Sequence, residues 1–163
     1  MDTLNSKTSN GKSVQDIFLG KIIKRTIAKE RLLRSSMTFE FDDCSAARVW
    51  FEVIELGDWE ITGALRIEVV SSSSGSQGVA HDVLPPSGFF VSGVSLLSAS
   101  VEPDGVEHQV ANGLVLSDSN GNTITIVSTP LAGAADFGIN VSLEELDPEY
   151  TTDNYRLDIL GEI

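Results

Sequence analysis

Histidine is the residue type that most often serves as a general base or a zinc ligand, and this chain has two histidines. Neither His81 nor His108 has a second histidine or a cysteine at the spacing of a metal site. His81 precedes Asp82, and these two residue types can form an acid–base pair. Neighbouring residues on a strand point to opposite faces, however, so the two side chains would not act together. The histidines therefore predict neither catalysis nor metal binding.

The candidate nucleophiles are equally weak. Cys44 follows Asp42 and Asp43, and nearby negative charge disfavours the thiolate that a nucleophile needs. The serines include no Gly-x-Ser-x-Gly elbow, and the nearest approach, in residues 75–78, does not follow a strand. The chain also lacks the glycine-rich motifs that cradle phosphates. We therefore predict no catalytic residue and no cofactor.

The stretch from Asp118 to Asn122 begins like a calcium-binding loop, which requires glycine at its sixth position and glutamate at its twelfth. Thr123 and Thr129 stand at those positions. An Asn-Gly hairpin turn at Asn120 accounts for the same residues, because a type I′ turn needs left-handed conformations. The stretch therefore predicts a hairpin and no metal.

Carboxylates are the most abundant chemical groups. A hydrolase that uses two of them needs a pair roughly 5–10 Å apart beside a cleft, and any acidic chain supplies pairs by chance. Carboxylate-based hydrolysis therefore stays a second alternative. The densest acidic stretch is a better candidate for contact with a basic partner, and its members are Glu144, Glu145, Asp147, Glu149 and Asp153.

Charge is divided unevenly along the chain. Residues 1–36 hold eight Lys and Arg against three acids, whereas residues 37–163 hold three against twenty-one. The respective nets are +5 and −18, and such asymmetry is typical of an interaction segment. An acidic body repels phosphate backbones, which argues against nucleic acid as a partner. It favours a basic protein instead.

The 163 residues are enough for one globular domain with a core of its own. Cys44 is the only cysteine, so no intramolecular disulfide can form. Apolar runs are far shorter than the roughly 20 residues needed to cross a bilayer, and no signal-type segment is recognisable. These features favour a cytoplasmic protein without a membrane association.

The N-terminal third has two readings. Residues 1–12 are polar and predict a flexible terminus. Ser13 caps a predicted basic helix over residues 13–34, which would be apolar on two sides. The second side suggests contact with a second subunit through Leu19, Ile23 and Ile27. The alternative is that the segment breaks at Gly20 and continues as a strand.

Residues 37–163 read as an acidic, antiparallel β body. Met37, Phe39 and Phe41 alternate with polar residues, and a longer alternating strand runs from Trp59 to Val69. Residues 130–138 read as an irregular loop. The predicted fold class is α+β and mostly β: an N-terminal helix followed by an antiparallel sandwich or barrel-like sheet of about nine strands, in one domain over residues 13–163.

The sequence favours a non-catalytic binding protein. In general character, as a small acidic chain without a catalytic motif, it resembles inhibitor or immunity-type proteins that cover a basic partner. The first alternative is a structural or assembly protein that forms homo-oligomers through the basic helix. A carrier of a small apolar ligand is a minor alternative, since an antiparallel barrel can enclose one.

Overall fold

The computed structural model describes residues 3–4, 7–8, 12–31, 34–55, 61–71, 78–83, 85–101, 105, 108–128, 135–146 and 155–163. These residues form two short helices and thirteen strands. The helices are α1 (Val14–Phe18) and α2 (Leu143–Leu146). The strands are β1 (Thr3–Leu4), β2 (Lys7–Thr8), β3 (Ile22–Arg31), β4 (Arg34–Phe41), β5 (Ser45–Glu55), β6 (Ile61–Ser71), β7 (Val79–Asp82), β8 (Phe89–Phe90), β9 (Gly93–Val101), β10 (His108–Ser117), β11 (Thr123–Ser128), β12 (Ala135–Ile139) and β13 (Tyr155–Glu162).

The strands form two sheets. Sheet A has the order β12-β11-β10-β9-β13, and β1 adds to β10 in parallel. Sheet B has the order β2-β6-β5-β4-β3-β7, and β8 adds to β3. All pairings except those of β1 and β2 are antiparallel, mostly between strands that follow each other in the chain. The chain is therefore a mostly β protein of two antiparallel sheets. Its arrangement differs from a single nine-stranded sandwich.

A continuous apolar core draws residues from both sheets and from α1. The side chains alternate along the strands because successive residues face opposite sides of a sheet. Met37, Phe39 and Phe41 are buried, as their alternation predicts. Leu65 and Ile67 are buried in the long alternating strand, and Trp59 lies outside the described residues.

The predicted basic helix over residues 13–34 is wrong. Helix α1 ends at Phe18, Gly20 adopts a left-handed conformation with φ of +80°, and β3 begins at Ile22. Ser13 does cap α1, since its Oγ accepts a hydrogen bond from the Asp16 backbone at 3.2 Å. The left-handed glycine breaks the helix, and the β-branched residues beyond it suit a strand that hydrogen-bonds to β4. The alternative reading, a break at Gly20, matches the structure.

Two other segments differ from expectation. Residues 3–4 and 7–8 pair in parallel with β10 and β6, respectively, where a polar and flexible terminus was expected. Strand β12 occupies Ala135–Ile139, with its first four residues inside the predicted loop, and it pairs with β11 along its whole length. Backbone pairing along a neighbouring strand supplies hydrogen bonds in both cases, a gain that local composition does not reveal.

The hairpin predicted at Asn120 is present, and β5 and β6 form another antiparallel pair. Strands β5 and β6 pair antiparallel from Ser45 to Glu55, and β10 pairs with β11. The turn between β10 and β11 is not type I′, however, because Gly121 is left-handed with φ of +86° whereas Asn120 is not. Asp118 organises this turn through its carboxylate instead.

Neither described helix has the length and apolar character required to span a membrane.

Candidate binding cleft between two edge strands

Strand β7 is an edge of sheet B, and β12 is an edge of sheet A. His81 on β7 and Phe137 on β12 bring their ring centroids to 5.7 Å, with the ring planes tilted by 40°. Thr26 on β3 donates a hydrogen bond to the backbone carbonyl of His81 at 3.4 Å. The hydrogen bond fastens β7 to β3, and the ring contact brings β7 near β12, beside a cleft that residues of β3, β4, β7, β11 and β12 line.

The cleft has a volume of about 260 Å³. Its base is apolar, because Met37 and Ile126 are buried there. Its rim is polar, with His81 and Asp136 exposed and Lys29 half-buried. The remaining lining residues are Ala28, Ser35, Ser36, Ala135 and Phe137.

This space suits one large side chain or one small molecule. An apolar protein cavity of about 150 Å³ is known to hold benzene, so the cleft has room for a ring with a short chain attached. The buried base would take the apolar part, and the rim groups can hydrogen-bond or pair with a polar end.

A catalytic site would place a nucleophile and a base among these groups. A nucleophile requires a base in hydrogen-bond contact, and that base requires a third group to orient it. In the part of the chain that the structure describes, the His81 side chain makes no hydrogen bond to a serine or a carboxylate. Nor do three His, Cys, Asp or Glu side chains converge among those residues to hold a metal.

Two cations of the basic segment, Lys21 and Arg25, pair with acids of the chain's own body. Lys21 Nζ lies 2.5 Å from Asp43 Oδ2, and Arg25 donates to both carboxylate oxygens of Glu40, at 2.7 and 3.1 Å. The hydrogen bond and the charge of Glu40 raise the pKa of Arg25. Hydrogen bonds from Lys21 and then Ser45 lower the pKa of Asp43, against a small opposing effect of burial. The charge asymmetry of the sequence is thus used, in this region, to join β3 to the strand and turn beside it.

The three arginines of the acidic body are also paired. Arg66 lies 2.5 Å from Glu52, Arg156 lies 2.9 Å from Asp158, and Arg48 lies 3.9 Å from Glu68. Arg48 additionally stacks over the Trp50 ring at 5.1 Å. The cations of the body therefore do little to offset carboxylates elsewhere on the surface.

Not every exposed carboxylate forms an ion pair: Asp82 lies directly opposite Arg25 in the β3–β7 pairing, but Arg25 pairs with Glu40. Among the described residues, six exposed acids take part in no ion pair: Asp16, Asp42, Asp82, Glu144, Glu145 and Glu162.

Three of these six acids lie on β7 or on α2, next to strands that line the cleft. Asp82 is on β7, and Glu144 and Glu145 are on α2, which packs against β12. With the exposed Asp136 of β12 they form a surface that we call the acidic edge. The cleft and the acidic edge thus share the same two edge strands.

The predicted partner-binding residues are only partly visible. Glu144 and Glu145 are exposed in the first turn of α2, on the acidic edge. Asp147, Glu149 and Asp153 lie outside the described residues.

The residues assigned to oligomerisation lie elsewhere than expected. Ile23 is fully buried in the core, Ile27 is 5 % exposed, and Leu19 is half-buried and packed against the core. They were assigned to an open second face of a long helix, and that helix is replaced by β3. The physical basis for their assignment is therefore gone.

Sequence reasoning missed most of the cleft. Phe137 and Ala135 fell within the predicted loop, although Ala135, Phe137 and Ile139 alternate as strand residues do. His81 was singled out for acid–base chemistry, whereas the structure places its ring against Phe137. No local signal indicates that these two edge strands meet.

Comparison with known proteins identifies no relative: no family model, no curated protein and no solved structure matches this chain.

Proposed function

We propose that this protein is a non-catalytic binding protein that docks a basic partner through the acidic edge. The observation that carries the proposal is the disposition of charge. Lys21 and Arg25 pair with Asp43 and Glu40 of the same chain, and among the described residues the exposed carboxylates of Asp82 on β7 and of Glu144 and Glu145 on α2 take part in no ion pair. A negatively charged surface attracts a basic protein over several ångströms and orients it.

The cleft supplies the apolar part of the interface. Binding energy usually concentrates in a few large side chains that enter pockets near the centre of an interface. The buried base formed by Met37 and Ile126 suits an aromatic or branched aliphatic side chain of the partner. Lys29 on the rim keeps the cleft itself from being purely acidic, so it favours an apolar anchor over a cationic one.

The charge component is tested by affinity capture from the source cells at about 50 mM salt, where screening is weak. The bait is the wild type, the Glu144→Lys/Glu145→Lys variant, or a control that changes the net charge equally, Asp42→Lys/Glu162→Lys. We expect the wild type and the control to retain the same basic protein and the first variant to lose it. Retention should also fall steeply by about 0.3 M salt.

The matched control lies away from the acidic edge. Asp42 follows β4 at the end opposite the cleft, and Glu162 is on β13, at the other edge of sheet A from β12. Equal capture by all three baits, or capture that ignores salt, would refute docking through the acidic edge.

The anchor component is tested by filling the cleft. Ser35→Trp places a large side chain in the lining without changing charge, and Ser119→Trp does the same in the exposed turn after β10. Titration calorimetry with the captured partner should show binding at least about tenfold weaker for Ser35→Trp than for wild type. Ser119→Trp should bind with the affinity of wild type. Equal affinities would exclude the cleft from the interface, and thermal unfolding checks that both variants fold.

A further inference from the structure

Strand β13 is the edge of sheet A opposite β12. It pairs antiparallel with β9, and no described strand pairs with its other side. The first half of β13 is exposed on both faces: Arg156 and Asp158 have side chains 55 % and 37 % exposed, while Leu157 and Ile159 are 46 % and 64 % exposed.

Such an edge is unusual in a monomer. Natural sheets protect edge strands with charged side chains, prolines, bulges or covering segments, because unpaired backbone groups beside apolar side chains recruit another strand. Among the described residues, β13 has two of these devices: the charged side chains of Arg156 and Asp158, and a bulge between Ile159 and Gly161. Neither device covers Leu157 or Ile159, which are 46 % and 64 % exposed. The bulge leaves the stretch from Tyr155 to Ile159 regular.

We propose that β13 pairs antiparallel with β13 of a second copy of this chain, about a two-fold axis through Leu157. This register places Leu157 opposite the partner's Leu157. It also places Arg156 opposite the partner's Asp158, twice about the axis, and these pairs would form in place of the ion pair that the two residues make within one chain at 2.9 Å.

Charge selects this register over its neighbours. The apolar residues of both strands stay on the same face only if one strand shifts against the other by two residues at a time. The step in one direction puts Arg156 opposite the partner's Arg156, and the step in the other puts Asp158 opposite the partner's Asp158. Like charges directly opposite destabilise a strand pair, whereas opposite charges stabilise it.

The position of the bulge also favours a two-fold axis through Leu157. Leu157 is the middle residue of the regular stretch from Tyr155 to Ile159, so pairing about Leu157 uses that whole stretch and stops where the bulge begins. Beyond the bulge, Leu160 packs against the core and Gly161 lies beside Leu19 of the α1 end. The pairing would join two copies of sheet A into one continuous sheet.

Sedimentation velocity of the full chain, from about 10 µM to about 1 mM, tests the proposal over the range expected of a small interface. We expect a reversible dimer. Asp158→Arg puts arginines opposite each other and should weaken the dimer at least about tenfold, and Arg156→Asp should do the same with carboxylates. The double variant Arg156→Asp/Asp158→Arg restores complementarity and should associate within about threefold of wild type.

The control is Glu162→Lys, which changes the net charge as much as Asp158→Arg but lies beyond the bulge. It should leave the dimer intact. Because the chain carries a net charge of −13, Asp158→Arg reduces overall repulsion, and a loss of association therefore has to come from the register.

A monomer at every concentration would overturn the proposal, as would single charge variants that associate like wild type or a double variant that fails to recover. Circular dichroism of each variant checks that the fold is kept. These outcomes are independent of partner docking, because the acidic edge lies at the opposite side of sheet A.

Discussion

At the scale of single residues, Asp118 shows how one carboxylate can define a turn. Its Oδ1 accepts hydrogen bonds from the backbone of Asn120 and Asn122 at 2.9 and 2.8 Å, and its Oδ2 accepts one from the Asn122 side chain at 2.8 Å. Asn140, after β12, adds a bond to the Asn122 side chain at 3.0 Å. The network ties the β10–β11 turn to the end of β12.

The carboxylate form of Asp118 is favoured in the fold. Burial opposes it, but hydrogen bonds from the side chain and backbone of Asn122 and from two neighbouring backbone groups outweigh burial, and the pKa is lowered. A lowered native pKa contributes stability above the unfolded pKa of about 3.9, and that contribution is lost as pH falls through the native pKa.

Replacing Asp118 should therefore destabilise the protein in a pH-dependent way. Asp118→Ala leaves backbone donors without their acceptor and should lower the free energy of unfolding by about 1 to 3 kcal/mol at pH 7. Urea unfolding should show a constant difference from wild type above about pH 5 and a shrinking one below about pH 4. Ser119→Ala, in the same turn and exposed, should stay within about 0.5 kcal/mol of wild type. A pH-independent difference would mean that the ionised carboxylate is not what matters.

At the scale of elements, β3 is the segment where sequence and fold diverge most. Residues 22–31 combine β-branched and long basic side chains, which suit either a helix or a strand. Pairing with β4 decides the matter, since it buries Ile23 and Thr26 and sets Arg25 opposite Glu40. A bulge at Lys24 shifts the register between Ile23 and Arg25.

The strand predicts that substitutions at the adjacent residues Ile23 and Lys24 lower the free energy of unfolding by different amounts. Ile23→Ala removes a fully buried side chain and should lower the free energy of unfolding by about 2 to 5 kcal/mol. Lys24→Ala, at the exposed bulge, should change it by less than about 0.5 kcal/mol. Denaturant unfolding of the two variants measures both. Similar costs at the two sites would contradict the strand and its register.

At the scale of the whole molecule, α1 links parts that are otherwise separate in the chain. Phe18 is fully buried and packs edge-on against Phe39 and Phe41 of sheet B, with ring centroids 5.6 and 6.0 Å away. The same helix contacts β9 and β13 of sheet A. Five residues of helix therefore join the two sheets.

Removing that link should weaken the molecule as a unit. Phe18→Ala should lower the free energy of unfolding by about 3 to 5 kcal/mol, because it leaves a cavity between the sheets. Gln15→Ala, on the same helix but only half-buried, should cost less than about 1 kcal/mol. Thermal unfolding followed by both near- and far-ultraviolet circular dichroism measures the loss. A loss of similar size in both variants would show that Phe18 is not the link.

Local sequence determined much of this protein. Alternation with a period of two predicted β4 and β6 and their buried faces, and the short apolar segments around Asn120 and Gly121 predicted the β10–β11 hairpin. These features depend on residues a few positions apart, so pattern and propensity suffice. The charge asymmetry was also plain from the sequence, as was the scarcity of catalytic residue types.

Tertiary structure decided the rest. Whether Ile22–Arg31 is a helix or a strand, whether its cations pair within the chain, and whether His81 meets Phe137 all depend on contacts between distant segments. Sheet order and the exposed edge at β13 are likewise set by which strands find each other. The physical reason is the size of the free energies involved. A local conformational preference contributes a few tenths of a kcal/mol to about 1 kcal/mol per residue, whereas burial of one large side chain contributes about 1.5 to 3 kcal/mol.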